Sequence, residues 1–291
     1  MVLLDMLVRH DTVVGTTLPA DYRLVAAHVN HGIRSASARD EQLVQEQAKA
    51  YGLEFESTQL NLASDASEQE ARDRRYLFFE QLMSKHRASA IITAHHSDDL
   101  IETAIINMIR GTGRSGLSSL RSTSTRIRPL LCLTKEEIYS YANSHRIKWN
   151  EDETNSTDVY LRNRIRAMIA AKAGLSWKNS FLAQIEKIAS TNEKIDKEIN
   201  TVLQYRYRRA YVLSRSWVTM LPHSIATEFV RAVLVRASSA EVDRDLVERL
   251  TVAIKVAKVG TKVDIDKSTL AMLTKRSLRF VDRVTLKTRT L

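Results

Sequence analysis

Residues 93–113 read TAHHSDDLIETAIINMIRGTG, and the fold turns on how this stretch is parsed. The run at 88–94 (ASAIITA) is short, apolar and β-branched near its end, which predicts a buried strand. His95 and His96 fall where that strand gives way to a helix. Ser97 is the expected N-cap, and Asp98 and Asp99 sit in the first turn, where the helix dipole favours negative charge. Leu100, Ile101, Ala104, Ile105, Met108 and Ile109 form one apolar stripe suited to packing on a sheet. At about 100° per residue, Asp99, Glu102, Thr103 and Arg110 share the opposite face, whereas Asp98 points toward the apolar side and is expected mainly to cap the helix. A histidine pair and two carboxylates one turn apart therefore gather at the carboxyl end of a strand. In open α/β sheets that edge is where ligands bind.

The flanking sequence repeats the alternation. Residues 1–9 (MVLLDMLVR) predict a helix, and 21–27 a strand running into HVNHGIR at 28–34. Residues 36–51 predict a helix with Gly52 as its C′ residue, 53–60 a strand and 67–85 a helix. On that last helix Arg72, Arg75, Tyr76 and Phe79 share a face. The order β-α-β-α-β-α with short connections predicts an α/β fold, a doubly wound parallel sheet.

Length, composition and charge bound the function. The chain has 291 residues, 44% of them hydrophobic, which suits two domains with real cores. No apolar run is long enough to span a membrane, no signal-peptide pattern opens the sequence, and the single cysteine, Cys132, fits a reducing cytoplasm. Residues 1–175 hold 22 Lys+Arg against 22 Asp+Glu, whereas 176–291 hold 22 against 12 and so carry the whole formal charge of +10. A neutral half joined to a basic half predicts a catalytic domain beside a polyanion-binding one.

Three further segments carry chemistry. GTGRSG at 111–116 has glycines that let backbone amides approach a phosphate. Residues 134–145 open with TKEE, a capping box. In YLRNRIR at 160–166, Arg162, Ile165, Arg166 and Ile169 lie on one helical face, and arginines so placed grip phosphate bidentately.

In order, HVNHGIR at 28, ARDRRY at 71, AHHSDDLIET at 94, IRGTG at 109, RPLL at 128, and EDETN at 151 followed by RNRIR at 162 resemble the motif series of the tRNA(Ile)-lysidine synthetase family of N-type ATP pyrophosphatases. The likeness covers residues 1–170 and weakens beyond 175. It implies an adenine nucleotide alpha hydrolase-like catalytic domain over 1–175, a linker helix over 176–210 and a basic α+β tRNA-binding domain over 211–291. It also implies the reaction: ATP, with Mg²⁺, adenylates C2 of the wobble cytidine of an AUA-reading tRNA(Ile), and the ε-amine of L-lysine then displaces AMP to give lysidine. By position in the motifs, His95, Asp99 and Arg166 are the implied catalytic residues. His28, Asn30, Arg34, Arg72, His95, Arg110 and Gly111 are implied at ATP, Asp99 and Glu102 at lysine, and Arg162 and Arg166 at tRNA phosphate. A cytoplasmic enzyme without membrane contact, able to form a homodimer, is the corresponding expectation.

The family's phosphate loop, SGGxDS, is not in the sequence. It would directly precede a segment like MVLLDML, so extension of the reading frame upstream is expected to reveal a strand followed by that loop. Two alternatives remain at this point. One is another tRNA-modifying ATP pyrophosphatase such as a thiolase, although those use cysteine pairs. The other is a catalytically impaired RNA-binding fragment.

Overall fold

Residues 1–10, 21–30, 37–60, 68–150, 161–172, 174–206, 212–238 and 242–282 are described by the structure, a computed structural model. Arg34 and the polar loop at 151–155 lie outside them. The chain forms two compact units, Met1–Arg110 with Gly116–Ile185, and Gly111–Ser115 with Glu186–Leu291.

The first unit alternates helix and strand. It begins with α1 (Val2–Val8), β1 (Val25–Asn30), α2 (Ser37–Ala50), β2 (Glu54–Gln59), α3 (Glu68–His86), β3 (Ile91–Ile92) and α4 (Ser97–Ile109). A four-residue helix, α5 (Arg114–Leu117), starts in the segment grouped with the second unit. Then come β4 (Arg126–Ile127), a 3-10 turn (Pro129–Cys132), α6 (Lys135–Ser144), α7 (Leu161–Lys172) and the long α8 (Leu175–Arg206), inside which the division between the units falls. β1 pairs in parallel with β2, Val25 opposite Glu54 through Asn30 opposite Gln59, and β3 pairs in parallel with β4. The α/β class with parallel strands is the expected one. Among the described residues, however, the ladder is divided into these two pairs. A cavity of about 710 Å³ touches both, lined by Val25–His28 of β1, Ile91 and Ile92 of β3, and side chains of α1 and α3.

Several boundaries move for physical reasons. β1 begins at Val25 and runs through Asn30, so His28 and Asn30 stand in the strand and not after it. The run at 88–94 keeps only Ile91 and Ile92 in the ladder, because the stretch Ala88-Ser-Ala ahead of them offers little side chain to pack on a pleated surface. The N-cap of α4 is His96, and Ser97 is its first helical residue. The apolar stripe of α4 also ends early: Ile101, Ala104 and Ile106 are buried, whereas Met108 and Ile109 are exposed. Its partners are Ile165 and Ile169 of α7 with Phe181 and Leu182 of α8, a narrower surface than the sheet the stripe predicts.

On α1, Leu3 and Leu7 pack with Leu130, and Val2 packs with Ala142 and Ile147. Between them Asp5 is buried but well satisfied, accepting from Arg9 Nε (2.8 Å), from the Tyr141 hydroxyl (3.0 Å) and from the Tyr51 hydroxyl. A buried carboxylate held this way is a structural hub, since burying it without donors would cost several kcal/mol. The capping box expected at 134–137 is present: the Thr134 hydroxyl accepts from the Glu137 amide, and the Glu137 carboxylate accepts from the Thr134 amide.

The second unit is α+β. β5 (Val212–Ser214), α9 (Arg215–Met220), α10 (His223–Ala237), α11 (Arg244–Val256), β6 (Lys262–Asp264), β7 (Thr269–Leu273) and β8 (Ser277–Asp282) form an antiparallel sheet of order β5-β8-β7-β6 with helices packed on it. Its core joins Ile199 and Leu203 of α8, Phe229, Val230 and Leu234 of α10, Leu250 and Ile254 of α11, and Leu273 and Leu278 of the sheet. Arg114 is bound within this unit, donating to Asp196 (2.6 Å) and Glu228 (2.9 Å), while its carbonyl accepts from Asn192. Among the described residues no helix is long and apolar enough to cross a membrane.

Candidate active site

The site is built on the junction between β3 and α4. Ile91 and Ile92 hold the strand in register with β4, so the chain leaves the sheet at Thr93 and turns into α4 at His96. His95 lies in this turn, with its Nδ1 at 2.9 Å from the Thr93 hydroxyl. Burial lowers its pKa from 6.5 to about 4. The Asp99 carboxylate opposes the shift, and the positive charges of Arg128, Arg72 and Arg75 reinforce it. His95 is therefore a neutral imidazole at pH 7, in the field of guanidinium groups from α3 and from the edge of the 3-10 turn. A neutral histidine can donate a hydrogen bond to a phosphoryl oxygen, while the arginines supply the charge.

Those arginines are well supported. Arg72 lies over the Tyr76 ring at 5.2 Å, with Arg126 also over that ring at 4.5 Å. Arg128 is buried, one of its Nη atoms donates to the Arg121 carbonyl, and its Nε is buried without a hydrogen-bond acceptor. A buried cation with a free donor is suited to an anionic ligand, because an unpaired buried donor otherwise costs free energy.

The carboxylates of α4 divide differently from the expectation set by helical angles. Asp99, not Asp98, serves the helix start, its Oδ2 accepting from the His96 amide at 3.0 Å. Asp98 instead pairs with Lys178 Nζ at 2.7 Å and accepts from the Lys135 amide at 3.1 Å. Burial works to raise the Asp98 pKa, but Lys178 and the Lys135 amide outweigh it and hold the carboxyl below the usual range. Glu102 is 2% exposed and is held by Arg166 through two bonds, Nε at 2.7 Å and Nη2 at 2.9 Å. Arg162 stands 3.9 Å from the same carboxylate, and Arg166 stands 3.9 Å from Asp99. The structure thus brings His95, Asp99, Glu102, Arg162 and Arg166 together, with Arg72, Arg75 and Arg128 around His95.

Other expected site residues have partners of their own. On β1, Asn30 donates to Glu41 at 2.9 Å, and burial lowers the His28 pKa against the pull of Glu41 and Asp40. Arg110 caps the far end of α4, which at 1.5 Å per residue lies ~20 Å from His95. The angular match that placed Arg110 with Asp99 ignored this axial distance. Gly111 follows with φ +64°, the left-handed conformation that ends the helix, and its carbonyl accepts from Arg244 Nη1 at 2.9 Å. Lys178 and Arg128 were missed as site residues. Arg128 could have been found from the RPLL motif; Lys178 is 80 positions from Asp98, and no local spacing signals it.

A pH experiment follows from His95. The unfolded side chain titrates near 6.5 and the folded one at about 4, so between those values the unfolded chain binds a proton that the folded chain excludes. Stability is present above pH 6.5 and is lost as pH falls toward 4. Urea unfolding is expected to show a loss on the order of 1 kcal/mol from this group between pH 7 and 5, which His95→Gln removes. The residual slope belongs to groups such as His28, and an unchanged pH slope in the variant would contradict the assignment.

Residues 1–173 match the ATP_bind_3 family, a PP-loop domain. The tRNA(Ile)-lysidine synthase of Bacillus subtilis (strain 168) is 40% identical over 158 residues, which cover 50% of this chain and 34% of that protein. The tRNA(Ile)-lysidine synthase of Bacteroides thetaiotaomicron is 35% identical over 196 residues, covering 62% of this chain and 46% of that one. The aligned part of this chain thus spans between a third and a half of the length of these relatives. Among solved structures, a U34-tRNA thiolase from Methanococcus maripaludis superposes with a TM-score of 0.51 at 16% identity, over 64% of this chain and 67% of that one. That likeness concerns the fold alone.

Proposed function

The chain belongs to the PP-loop domain family, and from that premise we propose that it acts in ATP-dependent ligation of L-lysine to C2 of the wobble cytidine of tRNA(Ile). The observation that carries this reading is the neutral His95 in the field of Arg72, Arg75 and Arg128, at the start of the helix that bears Asp99 and Glu102. ATP supplies the adenylyl group that makes the cytidine oxygen a leaving group, and pyrophosphate departs. Arg72, Arg75 and Arg128 hold the phosphates, and His95 donates to a phosphoryl oxygen as charge develops there. His28 and Asn30 on β1 lie on the adenosine side.

In the second step the lysine ε-amine bonds to C2, AMP leaves with the former cytidine oxygen, and the nitrogen sheds its proton. Asp99 holds the incoming lysine. Glu102 has both oxygens on Arg166, so it fixes that arginine in place, and Arg166 and Arg162 face the RNA phosphate. Mg²⁺ accompanies the phosphates of ATP. Among the described residues one trio of ligand-type side chains, Glu54, Glu56 and His86, lies at the start of β2 and the end of α3.

The direct test is release of pyrophosphate from ATP with and without tRNA(Ile), followed by incorporation of labelled lysine. Release that ignores tRNA, or incorporation of no lysine, overturns the reading. The basic second half adds a salt prediction, because 176–291 carries the whole net charge of +10. The affinity for tRNA is expected to fall with salt at a log–log slope of about −0.7 to −0.9 per neutralised phosphate. A flat dependence would mean that the charge serves another purpose.

A further inference from the structure

The first turn of α8 carries an aromatic pair that the chemistry above does not use. Trp177 and Phe181 stack with ring centroids 5.0 Å apart and planes 11° from parallel. Phe181 is fixed from behind, because it packs on the cluster of Ile101, Ile106, Ile165 and Ile169 that joins α4 to α7. Trp177 is 43% exposed, so it covers Phe181 with one face and offers the rest to solvent. An indole with one face on a rigid support and the other open is prepared to receive a flat partner.

Position and charge say which partner. Lys178, next in the chain, pairs with Asp98 at 2.7 Å, which ties the first turn of α8 to the first turn of α4, three residues beyond His95. Arg162 and Arg166 project from α7, whose Ile165 and Ile169 share the cluster with Phe181. An open aromatic face on the helix turn that Lys178 ties to α4, supported on the same cluster as the arginine-bearing α7, matches an unstacked base of single-stranded RNA. A base presented for chemistry must leave its stack, and its neighbours then need a new one.

We propose that the open face of Trp177 is the platform on which an unpaired base flanking the reacting cytidine stacks. This rests on the reading of tRNA as substrate and adds a specific contact to it. The platform is indifferent to base identity, since every base has a π-face, and it acts by positioning rather than in the chemistry.

The test uses the full chain and two fluorescent RNA hairpins, one with a seven-nucleotide loop containing cytidine and one closed by a tight, fully stacked tetraloop. Trp177→Ala and Trp177→Leu are expected to weaken binding of the open loop by roughly five- to a hundredfold, while Trp177→Phe and Trp177→Tyr retain most of it. Binding of the closed hairpin, ATP affinity and the salt slope should not change. The leucine variant keeps apolar bulk without a π-face, so it remains informative if the alanine variant fails to fold. Equal binding by wild type and Trp177→Leu overturns the proposal. So does a parallel loss of ATP affinity, which would give the ring to adenine, or a change in oligomeric state with RNA affinity intact, which would give it to a second copy of the chain. If the wild-type chain binds neither RNA, the tRNA reading itself falls; if it binds both and the variants match it, only the platform does.

Discussion

Replacing Arg166 by methionine is expected to lower the free energy of unfolding by about 3 kcal/mol, the loss typical of breaking a buried pair from one side. The reason lies in Glu102. Its carboxylate is 2% exposed, and Arg166 bonds both oxygens at 2.7 and 2.9 Å. Removing the guanidinium leaves a desolvated negative charge with Arg162 at 3.9 Å as weak compensation. The loss should therefore depend on the charge of Glu102. In the double variant Glu102→Gln with Arg166→Met, no buried charge remains, and at least half of the lost stability is expected to return. Urea midpoints for the two single variants and the double close the cycle. A double variant as unstable as the sum of the singles would show that Arg166 contributes through packing of its stem and not through Glu102.

The same residues show what can be read from sequence. α4 was legible because helical periodicity, first-turn carboxylates and the strand before it are local signals, and the helix lies where they place it. The capping box at Thr134 and Glu137 was legible for the same reason. The angular argument correctly put Asp99 and Glu102 on one side of α4, since Arg166 reaches both. It could not supply their partners. Arg166 is 64 residues from Glu102 and Lys178 is 80 from Asp98, and which distant cation meets which carboxylate is settled by packing between helices. Asp98 and Asp99 part on this account: either can serve a helix start, Asp99 does so, and Lys178 pairs with Asp98. Arg110 was misplaced because a helical wheel records angle and discards height.

These partners alter which carboxylate should hold the ammonium of lysine. Glu102 has both oxygens engaged, so an incoming ammonium would have to displace Arg166. Asp99 has a partly exposed side chain, one oxygen on the His96 amide at 3.0 Å, and Arg166 no nearer than 3.9 Å. Asp99→Asn is therefore expected to spare tRNA-dependent pyrophosphate release while raising the lysine concentration needed for turnover by roughly ten- to a hundredfold, the value of one charge-assisted contact in a partly dry site. Asparagine keeps an acceptor for the His96 amide, so the helix start survives and the change reports the lost charge. Asp98→Asn makes the contrast: it releases Lys178 and is expected to cost about 1.5–3 kcal/mol of stability, with the lysine requirement unchanged in the fraction that remains folded. Steady-state lysine dependence, measured beside single-turnover adenylation for both variants, separates the roles. If Asp99→Asn abolishes adenylation and leaves the apparent lysine affinity intact, Asp99 serves phosphate or its metal ion, and the ammonium must be held elsewhere.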